Sequence, residues 1–236
     1  MTRKSYTHIS LVCDRSGSMA AVQADAQGAI NHFIGEQKQV DGEATLLFVE
    51  FDAPYGGGED WYHIVHDGDL KQAEDYRLAP RGSTALLDAV GQTITSTGEK
   101  LEALAEADRP GKVIFVIQTD GQENSSRDWT WEKIQEAIKR QTEQFNWQFI
   151  FLGMGSDAWD QGARMGVQNI VRSSGSGIAH AHTHSTVSAY TADYRSGHTH
   201  DMAAANLTVA ADGTVRNKAG EEIDPVTGKV KRDIQA

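Results

Sequence analysis

The run Val113-Ile114-Phe115-Val116-Ile117 constrains the fold of this chain more than any other feature. A strand that is apolar at every position cannot turn a face to water, so it belongs in the middle of a parallel sheet covered on both sides. The rest of the chain supplies such a sheet. Thr7 to Cys13 is a shorter β-favourable run, Ala44 to Phe51 is a nearly continuous apolar strand, and Trp147 to Leu152 and Val167 to Val171 are two more. Between them lie segments with apolar residues three and four apart: Val22, Ala26, Ala29, Ile30, Phe33 and Ile34 within 19–39, Leu86, Leu87, Val90, Ile94, Leu101 and Leu104 within 85–105, and Trp131, Ile134 and Ile138 within 129–144. That spacing predicts amphipathic helices. A short helix is expected over 157–165 and a final one over 178–194. Trp61 to His66 alternates in polarity and pairs with the strand before it as a hairpin, across the glycine-rich turn Asp52 to Asp60. Strands alternating with helices through short connections define an α/β, doubly wound fold: a mainly parallel sheet with one antiparallel edge strand and helices on both faces.

The chain has 236 residues, a length that accommodates one domain with an extension. The expected division is a domain over 1–195 and a polar tail over 196–236. In the tail, Leu207–Ala210 and Thr214–Val215 flank Asp212-Gly213 and could close a small hairpin. The 33 acidic residues against 22 basic ones give a net charge of -11, which repels nucleic acid phosphates and anionic lipid and favours cations or basic partner surfaces. No nucleic acid and no membrane are therefore expected as partners. The one cysteine, Cys13, lies in the apolar run 9–13, so a buried, reduced thiol is expected. Only five residues of apolar character follow the charged start of the chain, too few for a signal peptide core. A cytoplasmic location is the expectation.

Chemistry concentrates in three turns: Asp14-Arg15-Ser16-Gly17-Ser18 after the first strand, Gly82-Ser83-Thr84 at a helix entry, and Thr119-Asp120-Gly121 after the strongest strand. Ligands of open α/β sheets bind outside the carboxyl ends of the strands, where the strand order reverses. If the first strand and the 113–118 strand flank that point, Asp14 and Asp120 meet there beside three hydroxyls. Such an all-oxygen set suits a hard cation, Mg²⁺ in particular, with Mn²⁺ or Ca²⁺ as alternatives.

Asp14-Arg15-Ser16-Gly17-Ser18 resembles the Asp-x-Ser-x-Ser motif of the von Willebrand factor A domain, its metal-ion-dependent adhesion site. Thr84, in Arg-Gly-Ser-Thr-Ala-Leu-Leu-Asp-Ala, is similar to that family's distal threonine, and Asp120, in Gln-Thr-Asp-Gly, to its second aspartate. The resemblance covers roughly residues 5–195 and implies a Rossmann-like fold of the family. It further implies a metal held by the hydroxyls of Ser16, Ser18 and Thr84, with Asp14 and Asp120 bound directly or through water. A partner protein's Asp or Glu would complete the coordination. The family includes small stand-alone intracellular members of bacteria and phages and components of assemblies beside a ring-forming ATPase. A non-enzymatic, Mg²⁺-dependent protein-binding module is the function it implies, with Asp52–Asp60 and Gln122–Trp131 as the rims that select the partner.

Other readings of the same residues exist. Ser16, Ser18 and Thr84 could each serve as a helix N-cap, and Asp120-Gly121 could be a plain turn. A Mg²⁺-dependent phosphate ester hydrolase is the rival function, although Ser16 stands where a second carboxylate would be expected two residues after Asp14, and no phosphate-binding Gly-x-x-x-x-Gly-Lys loop occurs. A structural subunit with a vestigial site is the third. His180, His182, His184, His198 and His200 form a tract that reads as a solvated polar segment or as a second metal site.

Overall fold

The structure is a computed structural model that describes residues 2–53, 60–154, 156–174, 177–198 and 206–231. Among the described residues nine strands form one sheet in the order β3-β2-β1-β4-β5-β6-β7-β8-β9. They are β1 (Arg3–Asp14), β2 (Glu43–Phe51), β3 (Tyr62–Asp69), β4 (Pro110–Thr119), β5 (Gln148–Met154), β6 (Asn169–Ser173), β7 (Leu207–Val209), β8 (Val215–Asn217) and β9 (Glu222–Ile223). Strands β2, β1, β4, β5, β6 and β7 run parallel. The antiparallel edge strand expected at 61–66 is β3, paired with β2. At the far edge β8 and β9 add a second antiparallel pair.

The helices are α1 (Gln23–Gln39), α2 (Leu86–Ala103), α3 (Trp131–Phe145), α4 (Ser156–Arg164) and α5 (Gly177–Ser196). The alternation of β1 and β4 side chains divides the interior into two cores. On one face Ile9, Leu11, Ile114, Val116, Ile150 and Leu152 pack with Ile30, Phe33 and Ile34 of α1 and Val187 and Tyr194 of α5. On the other, Val12, Phe115, Ile117, Phe149 and Phe151 pack with Leu86, Leu87, Val90 and Ile94 of α2 and Ile134 and Ile138 of α3. A continuous apolar run is what a strand between two such layers requires, and β4 is buried from Val113 to Thr119.

Two boundaries differ from the periodicity. The helix expected from Met19 begins at Gln23, because Gly17–Val22 winds as a 3₁₀ turn that draws Ser18 toward the sheet edge. Beyond residue 195 the sheet continues: β7 pairs in parallel with β6, through Val171↔Leu207 to Ser173↔Val209, and the turn at Asp212-Gly213 leads into β8. Two short strands gain their stability here by joining a larger sheet. Leu207, Val209, Val215 and Ile223 are all buried in the same core as α5. His182 Nδ1 donates to the Gly213 carbonyl at 2.5 Å, tying α5 to that turn. His184 is buried, while the side chain of His180 and the whole of His200 lie outside the described residues. No described helix is long and apolar enough to cross a membrane.

Candidate metal centre

Strands β1 and β4 are parallel neighbours, with His8–Cys13 in register with Val113–Gln118. The chain leaves β1 toward β2 on one side, and β4 lies on the other, so the strand order reverses between them. The turns after both strands therefore open at one crevice. Asp14 ends β1, Asp120 follows β4 directly, and Thr84 precedes α2 by two residues.

The five residues singled out in the sequence come together there. Asp14 is fully buried; its Oδ1 accepts from the Ser16 amide at 2.6 Å and its Oδ2 from the Thr119 hydroxyl at 2.6 Å. Ser16 Oγ lies 3.1 Å from Ser18 Oγ, and Ser18 Oγ donates to Asp120 Oδ1 at 2.8 Å. A methyl group placed on Gly121 would stand 3.2 Å from Ser18 Oγ, 3.3 Å from Thr84 Oγ1 and 3.8 Å from Asp14 Oδ2. Oxygens from all three turns thus converge on one small space, which a glycine at 121 keeps open. Asp14, Ser16 and Thr84 wall it on the protein side with exposures of 0, 2 and 3%, whereas Ser18 is exposed and Asp120 partly so. One side of the cluster therefore faces solvent.

Burial pushes the Asp14 carboxyl up to about 6, against the hydrogen bonds from Thr119 and Ser16 that favour its charge; nearby Asp120 adds to the rise. A buried carboxylate in that position gains from any cation that enters the space. The capping alternative is not realised at Ser16 or Thr84. Ser16 is the N-cap of the 3₁₀ turn without a side-chain cap bond, and the N-cap of α2 is Ala85, also without one. These hydroxyls are directed at the cluster rather than at helix amides.

Several residues that the sequence did not single out hold the three turns in register. Arg15 is 5% exposed and pairs with Glu50 at 2.5 Å and Asp52 at 3.0 Å. Arg81 meets the same Asp52 oxygen at 2.5 Å, and Tyr76 donates to the second oxygen of Glu50 at 2.7 Å. Backbone bonds from Gly17 N to Gly82 O and from Arg81 N to Arg15 O lock the first turn to the second. Asn124 accepts from the Thr84 amide at 3.0 Å, and the amides of Asn124 and Ser125 donate back to the Thr84 carbonyl. Gln161 of α4 donates to the Gly121 carbonyl at 2.6 Å and accepts from the Glu123 amide at 2.6 Å. Glu123 in turn accepts from Leu87 N at the start of α2, and Asp88 accepts from the amides of Arg127, Asp128 and Trp129.

Of the segments expected to form rims, 54–59 lies outside the described residues. In 122–131 the carboxylate of Glu123 is turned inward, and Gln122, Asn124, Arg127, Asp128 and Thr130 are the exposed positions. Trp129 is half-buried over Gly91, and Trp131 stacks under the Arg164 guanidinium at 4.1 Å. Among the described residues no group of three or more His, Cys, Asp or Glu stands together as a metal site. What the turns assemble instead is two carboxylates and three hydroxyls.

A doubly wound sheet carrying an oxygen cluster at its switch point defines a domain of the α/β class, with its candidate site where ligands of such sheets bind. Within that class the fold is that of the von Willebrand factor A domain. The chain is similar to a von Willebrand factor type A protein from Catenulispora acidiphila, with 16% identity, a TM-score of 0.50, and alignment over 87% of this chain and 44% of that one. It is also similar to the pilus adhesin SpaC from Lactobacillus rhamnosus GG, with 16% identity, a TM-score of 0.57, and alignment over 77% of this chain and 30% of the adhesin. The chain spans less than half the length of either structure. No protein-family model and no curated protein matches it.

Proposed function

We propose that the chain is a Mg²⁺-dependent protein-binding module. Ser16, Ser18 and Thr84 would hold the ion through their hydroxyls, with Asp14 and Asp120 binding directly or through water. The observation that carries this reading is the space beside Gly121, on which Ser18, Thr84 and Asp14 oxygens converge. The donor set fits a hard divalent cation, since every group is oxygen and Mg²⁺ commonly keeps waters at the positions the protein leaves open. When bound, the ion would supply an electrophilic centre for an outside carboxylate. The protein's own residues do the rest: Thr119 fixes the Asp14 carboxylate, Asn124 fixes Thr84, and Gln161 fixes the turn that carries Asp120.

The partner would present an Asp or Glu to the open side, near exposed Ser18, Gln122, Asn124 and Arg127. Arg127 offers a cation to an acidic segment on a chain that is otherwise strongly acidic. A cytoplasmic assembly, including one built around an ATPase, is the setting we propose, and the role is binding rather than catalysis. The test is association with a candidate partner in Mg²⁺ and in chelator, using the natural chain and Asp14→Ala. Association that Mg²⁺ supports and that Asp14→Ala removes is expected; binding indifferent to both contradicts the proposal. Turnover of a phosphate ester panel that needs Mg²⁺ and Asp14 would replace it with the hydrolase reading.

A further inference from the structure

At the end of the sheet opposite the turn cluster, a cavity of about 310 Å³ lies between the C-terminal end of α1, the start of β2, the end of β3 and the end of α5. Its lining includes Gln37, Lys38, Glu43, Asp69, Lys71 and Arg195. Arg195 is the anomaly. It is 6% exposed, and among the described residues no carboxylate stands within ion-pair distance of it. Its Nη1 donates to the carbonyl and side-chain oxygen of Gln37, at 2.5 and 3.1 Å, and its buried Nε has no hydrogen-bond partner. Buried arginines are ordinarily paired, because an uncompensated charge away from water is strongly destabilising.

The two acids of the cavity are engaged elsewhere. Both oxygens of Glu43 are taken by Arg3, and Asp69 Oδ1 accepts from the Lys71 amide at 2.9 Å. Lys38 donates to the Ala73 carbonyl at 2.5 Å, which places its ammonium at the same wall. A further cation stands close by: Lys112 Nζ donates to the Tyr194 and Arg195 carbonyls, both at 2.7 Å. The neutral acceptors of Gln37 and the C-terminal end of α1 offset part of the Arg195 charge. They leave the Nε–H unmet. Burial holds the guanidinium down to about 10 and lowers Lys112 as well, the expected sign for cations short of counter-charge.

We propose that this cavity binds a small oxyanion, a carboxylate or phosphate group that pairs with the Arg195 guanidinium between Lys38 and Lys71. A planar guanidinium without a carboxylate partner is the group best suited to such a ligand, which reaches the solvent-sealed Nε–H by displacing the side chains that cover it. The site is independent of the turn cluster, so it stands whether or not that cluster binds metal. The test is a titration of the natural chain with inorganic phosphate and with malonate, in metal-free buffer at constant ionic strength. It is followed by calorimetry and by the ¹H–¹⁵N resonance of Arg195 Nε. One-site saturation by either anion is expected, with the Nε resonance moving along the same curve, and the anion that saturates identifies the ligand class. Arg195→Gln should weaken binding at least about tenfold, the loss of one charge-assisted pair. Should that variant fail to fold, the Nε resonance of the natural chain decides alone. No saturation with either anion, or saturation that leaves that resonance unmoved, overturns the proposal.

Discussion

Asp14 shows how much a single buried carboxylate depends on its neighbours. It has the Ser16 amide on one oxygen and the Thr119 hydroxyl on the other, so its orientation is set before any ligand arrives. Thr119→Val keeps the β-branched shape and removes that hydroxyl; Mg²⁺ affinity measured by calorimetry is expected to fall about tenfold, the worth of one hydrogen bond to a charged group. Arg15 has a different task. It is buried against Glu50 and Asp52, and Arg15→Ala would leave the buried Glu50 without its cation and Asp52 with Arg81 alone, so urea unfolding should show a loss of about 3–5 kcal/mol. A loss below 1 kcal/mol would show that Arg81 and solvent suffice. The sequence displays Asp14, Ser16, Ser18, Thr84 and Asp120 because their spacing after strands and before a helix is a local pattern. Thr119 was visible as part of Gln-Thr-Asp-Gly but carried no separate signal. Arg15 and Gln161 carried none, since their partners are 35 and 40 residues away in the chain.

At the scale of elements, the segment 122–129 is held to α2 as tightly as a strand to its sheet. Glu123 and Ser126 meet the first amides of α2, Asp88 gathers three amides of the segment, and Trp129 lies across Gly91. A methyl group on Gly91 would stand 2.1 Å from Trp129 Cδ2, well inside contact distance. Gly91→Ala is therefore expected to displace Trp129 and the segment with it. The cost in chemical denaturation should be about 1–3 kcal/mol, typical of overpacking, and Mg²⁺ affinity should drop because Asn124 no longer holds Thr84. Unchanged affinity with an altered Trp fluorescence would separate the segment from the site. Periodicity located α1, α2 and α3 because each has a clear apolar stripe. It misjudged the entry to α1, where the 3₁₀ turn at Gly17–Val22 is dictated by the Gly82 and Asp120 contacts rather than by local preference. The hairpin over 207–215 is legible from its turn at Asp212-Gly213, whereas its docking is not, because β7 is held by pairing with β6 and β9 by pairing with β8.

Over the whole molecule, the sheet divides the labour. Its carboxyl end carries the oxygen cluster, its other end carries the Arg195 cavity, and the strands between them supply rigidity. Within β1, His8 is buried, with Nδ1 2.9 Å from Thr45 Oγ1 and Nε2 3.2 Å from Ser10 Oγ. Burial lowers its pKa from 6.5 to about 4, with the Lys100 charge adding to the shift and Asp67 opposing it. Between those values the unfolded chain holds a proton that the folded chain excludes, so stability is complete above about 6.5 and declines as the pH falls toward 4. Because the raised Asp14 carboxyl acts in the opposite sense between about 6 and 3.8, the His8 contribution is read as a difference: across that window thermal unfolding of the natural chain should lose about 3 kcal/mol relative to His8→Asn. An equal loss in both would place the dependence elsewhere. A mainly parallel sheet could be read from the alternation of strands and helices, whereas the meeting of β1 with β4 entered the sequence reading only as a condition and is supplied by the strand order. The docking of the far edge on β6 and the second cavity could not be read, because they arise from contacts between distant segments. Calorimetric titration of metal-free protein with Mg²⁺ tests the cluster at the switch point most directly. One-site binding that disappears in Asp14→Ala, with an unchanged circular dichroism spectrum, is predicted; no binding in the natural chain, or equal binding in both, would contradict it.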